Sequence, residues 1–160
     1  MAYKTTTEGM DELTNKLRAL GDAAGKVAAE GLYEGAGVMA DAVSRAVHGI
    51  ATSPFRYANG WQRNPSPEEK ELLLKSSHGV AKFRKSGTEV STSVGFSNAG
   101  YGELNGKTVP IPKIANAINS GTSFRKKQPF FRKAVSQSRS RAIEAIDNTI
   151  SKRIEEITKD

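Results

Sequence analysis

The sequence predicts an α+β fold made of N-terminal helices, a small antiparallel β-sheet and a long C-terminal helix. Three observations predict it. Apolar residues recur in steps of three and four through the first third of the chain. Two mid-chain runs alternate apolar with polar residues about a glycine turn, and isoleucines step by three or four near the end.

In the first region, Met10, Leu13, Leu17, Leu20, Ala24 and Val27 share one face of a helix, and Leu32, Ala36, Met39, Val43, Val47 and Ile50 continue with similar stepping. Gly21 and Gly25 lie between the two stretches, and Gly31, Gly35 and Gly37 lie within the second. An interior glycine costs a helix about 1 kcal/mol relative to alanine. The expectation is therefore two helices broken near Gly21–Gly25, with glycines that admit another backbone closely. Glu30, Glu34 and Asp41 in the same segment exclude a membrane reading of the Gly-x-x-x-Gly spacing.

Residues 51–67 read as a loop, because Pro54, Pro65 and Pro67 interrupt helices and Asn59-Gly60 is a turn signal. Phe55, Tyr57 and Trp61 fall in this loop. Such aromatics either pack on their own domain or anchor an interface, which makes them a candidate loop interface. Glu68–Ser76 reads as a short helical turn. Val80–Arg84 and Val90–Phe96 alternate about Lys85-Ser86-Gly87 and predict a β-hairpin. Residues 98–108 read as a glycine-rich loop. Pro110 to Asn119 reads as a short helix opened by proline and closed by Gly121. A final helix begins near Pro129, with Ile143, Ile146, Ile150, Ile154 and Ile157 as a narrow stripe. The first half of that stripe is expected to pack on the hairpin of its own chain.

These elements make one domain over 1–160. It comprises a helical region (1–50), a loop and short helix (51–77), a hairpin region and loop (78–109), and a short helix, motif and terminal helix (110–160). A chain of 160 residues fits one domain. Its apolar fraction of 37% lies below the ~45–50% of ordinary globular domains, a benchmark that also counts glycine. The core is therefore expected to be modest and some surface covered by partners.

With no cysteine, disulfides and thiolate metal sites are excluded, and two histidines leave little for a metal. The N-terminal residues carry no apolar signal region, and no apolar run approaches the ~20 residues that span a bilayer. A soluble, cytoplasmically made product with no membrane partner is expected. The formal net charge is +7, from 24 Lys+Arg against 17 Asp+Glu. No acid falls between Glu103 and Glu144, a span that holds Lys107, Lys113, Arg125, Lys126, Lys127, Arg132, Lys133, Arg139 and Arg141. A local positive field of this kind suits a solvated face, a polyanion or an acidic protein partner.

Catalytic patterns are sparse. Gly106-Lys107-Thr108 resembles the end of a phosphate-binding loop, but Tyr101 stands where that loop needs its first glycine, and Pro110 and Pro112 follow where a helix should start. His48 and His78 lack a carboxylate and nucleophile set. Glu68-Glu69 and Glu155-Glu156 read as solvated surface pairs. No enzyme activity, cofactor or metal is expected. Arg125-Lys126-Lys127 followed by Phe130-Phe131-Arg132-Lys133 interleaves cations with aromatics, so the competing reading is a DNA-binding accessory protein that grips phosphate and stacks bases.

The segment from Ile114 to Ala134 resembles the signature of a phage tail-component family of long-tailed bacteriophages, whose members are called head–tail joining, neck or tail completion proteins. The resemblance rests on an apolar stretch ending in Gly121-Thr122, a short variable stretch, then Gln128-Pro129-Phe130 with Phe131, Arg132 and Ala134. The order of elements and the chain length are also similar. Asn119-Ser120 stands where a Glu or Tyr often precedes the Gly-Thr, and Leu72-Leu73-Leu74-Lys75-Ser76 replaces the usual Thr-Gly-x-Leu. The resemblance implies a structural virion protein, assembled in the host cytoplasm and located at the head–tail junction or tail end. It would complete the tail, or join it to the head, as a ring-shaped connector or tail-terminator component. Implied partners are copies of itself in a ring, with a hexamer as the candidate count, and neighbouring connector and tail proteins, with DNA only passing through the channel. The candidate interface is Gly121, Thr122, Arg125, Gln128, Pro129, Phe130, Phe131 and Arg132, with one phenylalanine as apolar anchor and Arg132 as a charged contact.

Overall fold

A computed structural model describes residues 8–53, 62–76, 78–87, 89–97 and 100–159 of the chain. The elements run α1 (Glu8–His48), α2 (Pro67–Lys75), β1 (His78–Val80), β2 (Arg84–Ser86), β3 (Glu89–Ser91), β4 (Val94–Phe96), β5 (Tyr101–Leu104), β6 (Lys107–Pro110), α3 (Ile111–Ser120) and α4 (Phe130–Lys159). This is the α+β architecture expected, with long helices at both ends of the chain.

α1 is one helix of 41 residues, not two. Gly21 and Gly25 do not break it, because a glycine leaves every backbone hydrogen bond available and costs only about 1 kcal/mol. The stripe Leu17, Leu20, Ala24, Val27 continues in phase across them. α4 lies antiparallel to α1. Gly31 meets Ile150, and Gly35 meets Ile146 and the Ala142 carbonyl. Ile146 and Ile150 of the isoleucine stripe therefore pack on α1 rather than on the hairpin, correcting the expectation, while Ile143 and Ile154 are exposed. The two helices are matched in size along their length. Bulky Ile146 and Ile150 sit over glycines of α1, while at the other end small Ala134, Ser138 and Ala142 are buried on α4, after Phe130 at its start, and Val43 and Val47 are buried on α1. The Ser138 hydroxyl donates to Ala134 O at 2.8 Å, so its burial leaves no unpaired donor. Arg153 ties the helices farther along, donating from Nε to Glu30 Oε2 at 2.6 Å.

The strands form three two-stranded antiparallel ribbons, β1–β4, β2–β3 and β5–β6. The first two continue one another along the predicted hairpin, with Val80 opposite Val94 and Arg84 opposite Ser91. The third ribbon replaces the expected glycine-rich loop. Leu104 pairs with Lys107, and the two residues between them, Asn105 and Gly106, have φ of 53° and 71°. Two positive φ values in a two-residue connection make a type I′ turn, for which Asn-Gly is the favoured sequence.

α3 is the most buried short element. Ile111, Ile114, Ala115 and Ile118 enter a core with Val43, Val47, Ile50, Leu73, Phe130 and Ala134. Full burial of one such aliphatic side chain stabilises by roughly 1.5–3 kcal/mol. Among the described residues, no helix is long and apolar enough to cross a membrane.

Candidate partner interface

The segment singled out in the sequence runs from the end of α3 to the start of α4, and several of its side chains are tied back into the subunit. Gly121 ends α3 with φ 76° and ψ 166°, a conformation open essentially to glycine. A Cβ there would also lie 3.0 Å from Lys127 Cβ. The Thr122 hydroxyl accepts from the Arg125 N–H at 3.1 Å and closes the loop locally. Across from this loop, the backbone of Arg63 pairs with it: Arg63 N–H donates to Phe124 O and Lys126 N–H to Arg63 O, both at 2.9 Å.

Beneath that bridge sits Glu69, whose side chain is only 1% exposed. It reads as a solvated surface acid in the sequence, and the structure corrects that. Ser66 caps α2, its hydroxyl accepting from the Glu69 N–H, while Glu69 Oε2 accepts from the Ser66 N–H at 2.9 Å. This is a capping box. The same carboxylate takes Arg63 at 3.3 Å and also Arg125. A buried carboxylate is costly unless charge and hydrogen bonds compensate it, and here two guanidinium groups and the Ser66 N–H do. Arg125 therefore spends its charge inside the subunit.

Gln128 makes a second tie. Its side-chain Oε1 accepts from Ala51 N–H at 2.9 Å, and its Nε2 donates to Ala51 O at 2.8 Å, mimicking a strand pairing. Its own N–H donates to Ile118 O at 2.9 Å. Pro129 is half-buried. Phe130 is buried and meets Phe96 edge-on at 6.3 Å between ring centroids. The first N–H groups of α4 find an acceptor in Asn119 Oδ1, which takes Phe131 N–H at 3.2 Å. Gly121, Thr122, Arg125, Gln128 and Phe130 thus shape the loop, and Phe131 is half-buried while Arg132 is exposed. Phe124, which the sequence reading did not single out, is 73% exposed on the same loop. Its signal was available, since an aromatic between Ser123 and Arg125 has no apolar neighbour in sequence to pack with. Phe55, Tyr57 and Trp61, the loop candidates, lie outside the described residues.

Beside the segment, an open groove of about 560 Å³ runs between the end of α1 and the start of α4. Ala42, Ala46, Ile50, Phe130 and Ala134 are among its apolar lining, and Arg45, Lys127, Lys133 and Arg141 supply positive charge. No acidic residue is among its described lining. The negative end of α1 is covered separately, because Lys70 Nζ donates to His48 O at 2.7 Å and to Ile50 O at 3.0 Å. The N-terminus of α4 at Phe130 adds its own positive end to the groove.

Elsewhere, exposed large apolar side chains lie on the helices and also at Phe83 and Tyr101. Leu13, Leu17, Tyr33, Ile143 and Ile154 are exposed, although Tyr33 has Phe83 beside it at 5.9 Å. Among the described residues there is no group of three or more histidines and acids that would hold a metal ion. Lys107, at the end of the phosphate-loop-like run, stands at the start of β6 just after the type I′ turn, with no helix N-terminus behind it. Comparison with protein-family models, curated proteins and solved structures finds no match to this chain.

Proposed function

We propose that this chain is a structural subunit of a tailed-phage virion, a ring-forming component that completes the tail or joins it to the head. It acts by assembly: copies pair around an axis, and the ring offers one face to each neighbouring ring. No step of bond chemistry is assigned to it. The resemblance of Gly121–Ala134 to the tail-component signature is the source of the virion assignment. The structural observation that supports an assembling subunit is the two-helix frame, which leaves Leu13, Leu17, Ile143 and Ile154 in solvent while no described buried side-chain polar atom lacks a partner. A molecule that satisfies its interior and exposes apolar side chains along its long helices is suited to partners.

Within the motif, the partner-facing residues of this reading are Phe131, Arg132 and Phe124, because the remaining motif residues hold the loop. Electron microscopy of virions carrying a tagged copy tests the proposal. A ring of this chain at the head–tail junction or tail end is expected, and its absence from virions would sink the reading.

A second reading, a DNA-binding accessory protein, is favoured by one observation, the four cations at the groove. Salt separates the two. Binding through phosphates weakens steeply and linearly in log K against log salt, whereas an apolar ring contact does not.

A further inference from the structure

The basic groove and the bare leucines of α1 lie at opposite ends of the molecule and match in chemistry. The contacts of Gly31 with Ile150 and of Gly35 with Ile146 fix the helix register. That register brings Lys159 level with about Asp22, so α1 extends about four turns beyond the end of α4 at 3.6 residues per turn. On this stretch Leu13 and Leu17 are 52% and 60% exposed. They share a face, four residues apart. The sequence ahead of them carries three acids, Glu8, Asp11 and Glu12.

We propose that this end of α1 in one copy docks into the groove rimmed by Arg45, Lys133 and Arg141 in a second copy. The inference rests on the reading of the chain as an assembling subunit and names the surfaces that assemble. Small floor residues, Ala42, Ala46 and Ala134, leave depth for leucine side chains inside a space of about 560 Å³. The cations on the rim are opposite in sign to the acids that the sequence places just ahead of Leu13, so charge sets the polarity of the contact. The two surfaces cannot meet within one molecule. Leu17 and Ala46 are on the same helix, roughly 40 Å apart at 1.5 Å per residue. A contact between different surfaces of identical copies is heterologous, and it closes into a ring when the rotation allows. A nucleic acid fits the groove less well. The one aromatic among its described lining, Phe130, is buried, so no ring is offered for base stacking, and phosphates held by the cations on the rim would leave the alanine floor unfilled.

Mixing two full-length variants tests this. Leu13→Lys/Leu17→Lys spoils the helix end and keeps the groove. Arg45→Glu/Arg141→Glu spoils the groove and keeps the helix end. All four positions are exposed, and circular dichroism checks that both variants stay folded, with Lys133→Glu as a milder groove variant. Sedimentation equilibrium should show wild-type self-association that rises with concentration and weakens at least tenfold in each variant alone. An equimolar mixture should form a heterodimer and grow no further, because each partner has one working surface left. A wild type that stays monomeric at the highest soluble concentration overturns the proposal. So does a mixture that forms no heterodimer while the wild type still associates, a result that leaves ring assembly through another face standing. DNA binding abolished by the groove variant, with self-association unchanged, would assign the groove to DNA and overturn it as well. A heterodimer from a chain absent from virions would keep this contact and remove only the virion role.

Discussion

Replacing Gly35 by alanine sets two known effects against each other within one helix. Alanine gains about 1 kcal/mol over glycine in a helix interior. At Gly37 nothing lies within 4 Å of the added methyl, so that gain should appear in full. At Gly35 the methyl would lie 2.5 Å from Ile146 Cγ1 and 2.9 Å from the Ala142 carbonyl oxygen. The isoleucine can turn aside, but the carbonyl belongs to the α4 backbone, so α4 must move away. Overpacking of this kind costs about 1–3 kcal/mol, and a backbone obstacle puts Gly35→Ala in the upper part of that range. The net loss is then about 1–2 kcal/mol. For a domain of this size, each 1 kcal/mol moves Tm by about 2–4 °C. Gly37→Ala should therefore melt a few degrees above wild type and Gly35→Ala several degrees below it. Gly31→Ala should fall between, since its closest contact at 2.8 Å is the Ile150 side chain while the Ile146 carbonyl is 3.4 Å away. Calorimetry at low protein concentration ranks the three. If Gly35→Ala is stabilised as much as Gly37→Ala, the α1–α4 register derived above is wrong.

Three further outcomes follow from the same geometry. Glu69→Gln leaves two guanidinium groups without their shared carboxylate and should cost about 3 kcal/mol in urea denaturation, and a loss under about 1 kcal/mol would show the pairing to be dispensable. Phe130→Ala should cost about 3–5 kcal/mol as a core deletion, whereas Phe131→Ala should stay folded and lose head–tail joining in vitro, so two equally destabilised variants would contradict the partner-facing role of Phe131. Hydrogen bonding from Arg153 holds the Glu156 carboxyl below its usual range. Its small stabilising effect is present above the unfolded-state pKa and disappears as pH falls through the lowered one, and an NMR titration in which Arg153→Gln leaves Glu156 unchanged would remove this cause.

The helical character of both ends was legible because apolar residues repeat every three or four positions, but the continuity of α1 was not, since the break expected near Gly21–Gly25 does not occur. Also not legible is the partner of each stripe. The isoleucines of α4 announce an apolar face, yet only the fold shows that Gly31 and Gly35 receive them. Two misreadings were avoidable in sequence. Asn105-Gly106 is a hairpin turn signal, and Ser66-Pro67-Glu68-Glu69 is a capping-box pattern. Glu69 with Arg125 is a different case. The two are 56 residues apart, and nothing local distinguishes an arginine that will turn inward from the basic residues around it.

That inward turn changes how the motif supports a function. Gly121 supplies a conformation, Gln128 a backbone mimic, Arg125 a counter-ion and Phe130 core volume. Each acts within the subunit, so a resemblance carried by these positions speaks first for a shared way of folding the α3–α4 corner. Selectivity for a neighbour has to come from positions that the corner leaves in solvent, and Phe124, Lys126, Lys127 and Arg132 are exposed there, with Phe131 half-buried beside them. The corner also sets one wall of the basic groove, because Lys127 to Phe130 line it together with the end of α1. Rigidity at the corner therefore fixes the shape of the groove. In the assembly proposed for this chain, the motif shapes the groove that receives the next subunit through that wall, and leaves Phe124, Phe131 and Arg132 for neighbouring proteins.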